Sequence, residues 1–93
     1  MSSTVEIENK LKRIFDPERL VLMDESARHA GHIEASGSPA LSHLRVRIVS
    51  AHFEGLNRLE RHRAVNEALS QEITEGLHAL AIEAAAPGER TRW

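Results

Sequence analysis

Six histidines and no cysteine define the chemistry that this 93-residue chain can offer. Imidazole ligates metals and carries protons near neutral pH, whereas thiolate ligation, thiol nucleophilicity and disulfide exchange are ruled out. The histidines sit in different settings. His29 and His32 stand three residues apart in the stretch Arg28-His29-Ala30-Gly31-His32, inside a run rich in Gly and Ser. His43 and His52 flank an alternating segment and read as solvated. His62 shares a helical face with Val65 and Leu69, where a lone imidazole reads as a partly buried side chain whose tautomer is fixed by one ring hydrogen bond. His78 lies beside Leu80 and Ile82, and its own surroundings leave metal ligation and a packed edge position equally open.

Other chemistry is sparse. No nucleophile has a partnered base, no pair of residues has metal-hydrolase spacing and no glycine loop is built to cradle phosphate, so the chain reads as a non-enzyme. Arg58, Arg61, His62 and Arg63 form a local basic cluster, with Arg45 and Arg47 on a nearby strand. Glu54, Glu60 and Glu67 interleave with it and no aromatic residue is available there for base stacking. A solvated face is the plain reading of this cluster; nucleic-acid contact through Arg58, Arg61 and Arg63 is the sharper one.

These residues need elements to position them. Ile7, Leu11, Ile14 and Phe15 recur as one helical stripe that Asp16-Pro17 ends, and Thr4 with Glu6 behind it makes a helix opening. Leu20-Val21-Leu22-Met23-Asp24 has the length of a strand. From Ser26 to Pro39, Gly, Ser and Pro predict a long loop, and residues 27–39 are expected to be the most mobile internal segment until a partner binds. Strict alternation then turns Leu44, Val46 and Ile48 inward and His43, Arg45 and Arg47 outward, a half-buried strand through about Ser50.

Phe53-Glu54-Gly55 reads as a turn. Asn57 with Glu60 three residues on resembles a capping box that opens a second helix. On it Leu59, His62, Val65, Leu69 and Ile73 share one face, and Gly76 stops it. Leu77 to Ala86 is a third strand, closed by Pro87-Gly88. The order α-β-β-α-β predicts an α+β domain with two helices on one face of a three-stranded sheet. Leu11, Phe15, Leu44, Val46, Ile48, Val65, Leu69 and Ile73 are the expected core.

Length and composition fit that picture. Residues 1–93 make a single domain, with an ordered core from about residue 4 to 86 and a loosely held polar tail over 87–93. The chain is 41% hydrophobic and 28% charged, so it is neither disordered nor fibrous, and its formal charge of −2 gives no overall attraction to nucleic acid. No run approaches a membrane span and the first residues lack the pattern of a leader. A small domain without cysteine fits a reducing, cytoplasmic setting.

Several segments together resemble the BolA family. They are Asp24-Glu25-Ser26 with His29 shortly after, Ser42-His43-Leu44 leading a strand that ends Ile48-Val49-Ser50, Phe53-Glu54-Gly55-Leu56, Arg61-His62-Arg63-Ala64-Val65-Asn66, and Leu77-His78-Ala79-Leu80-Ala81-Ile82. The resemblance runs from about residue 6 to 86. It implies a fold similar to the class II KH fold, in agreement with the element order. In KH domains a Gly-x-x-Gly loop clamps a nucleic-acid backbone; here Gly55-Leu56-Asn57-Arg58 keeps the first glycine and lacks the second.

The resemblance further implies a monothiol glutaredoxin as partner, and a [2Fe–2S] cluster shared with that partner and glutathione. The family's ligand positions fall on His29 and His78, with His32 able to stand in for His29. A chain that offers imidazole and no thiolate needs its sulfur ligands from elsewhere, and the partner's Cys and glutathione supply them. A DNA-binding regulator is the alternative that the family implies. Alone, the chain is expected to be a monomer or a weak homodimer.

Overall fold

The computed structural model describes residues 4–26, 41–77 and 79–93. Among them run α1 (Thr4–Phe15), β1 (Arg19–Asp24), β2 (His43–Val49), a 3₁₀ turn (Ala51–Phe53), α2 (Arg58–Ala68), α3 (Ser70–Thr74) and β3 (Ala79–Ala85). β2 is the central strand, antiparallel to β1 and parallel to β3. The α+β order expected from the sequence is therefore present, with the second helix split in two. Among the described residues no helix is long and apolar enough to cross a membrane.

Strand alternation sets the layers. Leu44, Val46 and Ile48 are buried and face Ile7, Leu11, Phe15, Val65 and Leu69 from the helices. Arg45 and Arg47 point to the other face, as period-two geometry requires. Phe53, fully buried, packs its ring 5.2 Å from Phe15 and belongs to this core although its turn setting gave no hint of it.

Three apolar positions of the expected helical stripes lie at the surface, and one of them, Ile73, is an expected core residue. Ile14 is 43% exposed. It and Phe15 are successive, about 100° apart around the helix, and Phe15 takes the inward direction. Leu59 is 57% exposed because, six residues before Val65, it sits roughly 120° around the axis from it. Ile73 is 38% exposed for a different reason. The helix breaks at Leu69 (φ −106°, ψ 19°), so the stripe's phase is not carried into α3. Glu72 turns inward instead, 5% exposed, and accepts from Lys10 Nζ of α1 at 2.7 and 2.9 Å.

The local signals that did hold are polar. Asn57 Oδ1 accepts from Glu60 N and Glu60 Oε1 accepts from Asn57 N, both at 2.8 Å, a complete capping box for α2. Thr4 is already helical rather than capping. Asp16 ends α1 in the left-handed region (φ 43°), a conformation that Asp tolerates better than most residues.

The tail is not loose. The Glu89 carboxylate receives both Arg61 guanidinium nitrogens at 2.6 and 2.8 Å and the Ala86 N–H at 3.0 Å. Arg19 of β1 lies 4.6 Å over the Trp93 ring and donates to the Trp93 main-chain oxygen at 2.6 Å. Six residues follow Pro87, and side chains of α2 and β1 hold Glu89, Thr91 and Trp93 among them.

Candidate functional site

His29, His32 and His78 lie outside the described residues, as does the segment 27–39 whose mobility the sequence predicts. The chain before residue 27, after residue 40 and on both sides of residue 78 is described, and it converges. Ser26 is 4% exposed. Its Oγ accepts from Ser42 N at 2.9 Å and from His43 N at 3.2 Å, and its own N–H donates to Asp24 Oδ1 at 2.9 Å. Glu25 N donates to His43 O at 2.9 Å. One serine hydroxyl thus ties together the two ends of the segment that carries His29 and His32.

The same spot receives β3. Ala79 N donates to Ser42 O at 3.1 Å, and Ala79 is the register partner of His43. The residue after His78 is therefore hydrogen-bonded to the residue that Ser26 clasps. The flanks of all three predicted ligands meet at one end of the sheet. His43 is there too, with Nδ1 2.8 Å from Ser42 Oγ, so that ring nitrogen already has a partner.

The other histidines are placed elsewhere. His52 sits edge-on to Phe15, ring centroids 5.9 Å apart, and is exposed. His62 is half-buried and lines a cleft with Ile82 to Ala85, three to six residues up β3 from Ala79. At ~3.3 Å per residue that is roughly 10–20 Å along the strand from the Ser26 end, so His62 is not brought together with the flanks of the predicted ligands. Among the described residues no three His, Asp or Glu side chains converge as a metal site.

On the sheet's open face, carboxylates neutralise the outward arginines. Arg45 donates to Glu25 at 3.2 Å and to Glu83 at 3.1 Å, and Arg47 donates to Glu83 at 3.0 Å. The ladder runs from the residue that follows β1 across β2 to β3. Hydrogen bonds from Arg47 and Arg45 push the Glu83 carboxyl below its usual range, and those to Glu25 and Glu83 raise Arg45. Arg61 is likewise bound, to Glu89 and to Leu56 O. Of the predicted nucleic-acid residues, Arg58 and Arg63 are exposed and make no ion pair or hydrogen bond among the described residues. The Gly55 turn (φ 80°) that would serve as a clamp leads straight into the capping box, where Asn57 and Glu60 already occupy the helix-start N–H groups.

Sequence reasoning missed Ser26 as the clasp and Trp93 as part of a cleft. Ser26 stood within a recognised motif, but its partners are 16 and 17 residues away, a distance no local pattern spans.

The comparisons with known proteins agree with this geometry. A family model described as BolA-like protein matches residues 11–89. A Sinorhizobium protein, described by its position in a cobS 5′ region, is 54% identical over 93 residues and covers both chains completely. A Vibrio cholerae protein named DNA-binding transcriptional regulator BolA is 43% identical over 76 residues, 82% of this chain and 67% of its own. The solved structure of BolA1 from Arabidopsis thaliana superposes with a TM-score of 0.89 at 38% identity, over 98% of each chain. The chain spans 51–58% of the length of several further curated relatives. The chain belongs to the BolA-like family.

Proposed function

We propose that this BolA-like chain is a non-enzymatic, cytoplasmic partner of a monothiol glutaredoxin. Through His78 and His29, with His32 able to replace His29, it co-ligates a [2Fe–2S] cluster that also draws on the partner's Cys and on glutathione. The reading is supported by one observation above the rest. Ser26, Ser42 and Ala79 join the flanks of the histidine-bearing segment to the residue after His78, so two chain regions far apart in sequence meet at one end of the sheet.

The donor chemistry fits half a site. Imidazole suits iron, but a chain without cysteine cannot complete a cluster that is normally dominated by thiolate. When bound, a cluster with histidines on one iron supplies a redox centre of higher potential than one held by thiolates alone. This chain's part would be to offer its imidazoles: Ala79, next to His78, is fixed in the sheet, and Ser26 clasps the two ends of the segment that carries His29.

The test is reconstitution with a monothiol glutaredoxin and glutathione under reducing conditions. A visible absorption and paramagnetic resonance spectrum distinct from that of the glutaredoxin's own cluster is expected. A spectrum identical to the glutaredoxin alone, at saturating amounts of this chain, overturns the reading.

DNA binding is the second reading, favoured by the name of the Vibrio cholerae relative and by the unpaired Arg58 and Arg63. Contact with phosphates would make affinity fall steeply as salt rises, whereas an affinity indifferent to salt would count against it.

A further inference from the structure

We infer that the free edge of β3 is a docking site for an extended acidic peptide segment of a partner protein, which joins the sheet as a fourth strand. The site is separate from the histidine end and does not depend on the cluster reading.

The hydrogen-bonding pattern identifies which backbone groups are free. Ala79 N donates to Ser42 O, and Ala85 O accepts from Ser50 N. In a parallel ladder the N–H and C=O of one residue face the same neighbour, and the facing alternates along the strand. Residues 79, 81, 83 and 85 therefore face β2. Leu80, Ile82 and Ala84 turn their N–H and C=O groups to the outer edge, where among the described residues no strand follows in the order β1-β2-β3. Beyond them the Ala86 N–H is already taken by Glu89, which closes that end of the edge. An unpaired strand edge is a template for another strand.

The surroundings select the partner's charge. A cleft of about 340 Å³ runs beside Ile82–Ala85 between α2 and the tail. Arg58 borders it from α2, and Arg90 and Arg92 border it from the tail. None of the three makes an ion pair or hydrogen bond among the described residues. The two carboxylates in the cleft are both engaged, Glu83 by Arg45 and Arg47 and Glu89 by Arg61. Three uncompensated cations thus flank a backbone edge.

That combination favours a peptide over a nucleic acid. Phosphates only accept hydrogen bonds, so they would match the free N–H groups and be repelled by the alternating C=O groups. A peptide backbone complements both, and its Asp or Glu side chains meet the arginines. A second copy of this chain is disfavoured, since pairing β3 with β3 would bring Arg58 near its own counterpart.

The experiment uses Trp93, the single tryptophan of the chain, which lines the cleft. The probe is a blocked seven-residue peptide alternating glutamate and valine. It should change Trp93 fluorescence saturably and slow hydrogen exchange at the Ile82 and Ala84 amides. The same peptide N-methylated on alternate residues, which keeps its charge and loses its edge hydrogen bonds, should bind at least tenfold more weakly. Arg58→Glu and Arg90→Glu should each weaken the unmodified peptide severalfold. Three results would each overturn the proposal: equal binding of the N-methylated peptide, protection of those amides by a short oligothymidylate instead of the peptide, or protection that appears on concentrating the chain alone.

Discussion

The two ends of the three-stranded sheet are held by different chemistry. At the end where β3 begins, most of the ties are neutral: a serine hydroxyl, main-chain amides and carbonyls, and the half-buried Ser42–His43 contact, beside which stand the Asp24 carboxylate on the Ser26 N–H and the Glu25–Arg45 pair. At the opposite end the ties are ionic and aromatic: Arg61 on Glu89, and Arg19 on Trp93. Neutral hydrogen bonds are indifferent to salt and to mild acid, whereas surface ion pairs are screened by one and titrated by the other. The end that is proposed to present metal ligands thus rests on a Ser26 clasp that ordinary changes of salt leave alone. The tail end is adjustable.

The largest expected effect separates ligand from scaffold at the neutral end. His78→Ala should abolish or remake the mixed imidazole–thiolate spectrum of the reconstituted heterodimer. His29→Ala should only weaken it, and the double change at His29 and His32 should match the loss of His78. A strand end fixes its neighbour's direction, while a loop must close before its imidazole reaches the metal, which costs conformational entropy. Far-UV dichroism should be unchanged in all three. A wild-type spectrum from His78→Ala would leave any glutaredoxin contact as simple docking.

Next in size is the clasp itself. Ser26→Ala leaves the Ser42 and His43 N–H groups without their side-chain acceptor, at a cost of about 1–2 kcal/mol of unfolding free energy. Urea unfolding should show that loss equally at low salt and in 1 M salt. A strongly salt-dependent loss would mean that the neutral end is not neutral in its energetics.

How far these contrasts could be read in the sequence depends on their range. Alternation over Leu44–Ile48 and the Asn57–Glu60 box were legible, because strand period and helix capping are encoded within a few residues. The interior stripe of α2 was legible only up to Leu69. Beyond the break, Glu72 replaced Ile73 as the buried residue because Lys10, sixty-two positions away, supplies its counter-charge. The family motifs single out His29 and His78 as the proposed ligands, but Ser26's role and the pinned tail arise from partners on other elements. A polar tail reads as loose until Arg61 and Arg19 are seen to reach it.

The charged end responds to pH. Arg61, and then the Ala86 N–H, hold the Glu89 carboxyl down at about 2. Because its folded value lies below the ~4.3 of an unfolded glutamate, the stability that Glu89 contributes is complete above roughly that pH. It is lost as pH falls from there through about 2. Arg61→Ala should raise the Glu89 titration midpoint, followed by carboxyl carbon NMR, and flatten the acid dependence of stability over that window. Ser26→Ala should leave the midpoint where it is.

The smallest effect concerns the last contact of the tail. Arg19 covers the Trp93 ring and also donates to Trp93 O and Thr91 Oγ1, yet the cluster is largely exposed. A cation–π contact in such a setting is worth about 0.5–1 kcal/mol. Arg19→Ala should therefore move the unfolding midpoint only slightly, while Trp93 fluorescence shifts to the red as water replaces the guanidinium. Because Arg61 still grips Glu89 four residues earlier, the tail should stay docked at Ala86 and free itself only from about residue 90 onward. Amide exchange at Glu89 would report this: retained protection there, with a red-shifted Trp93, is the expected pair of readings. Loss of protection at both places would make Arg19, and not the ion pair, the anchor of the charged end.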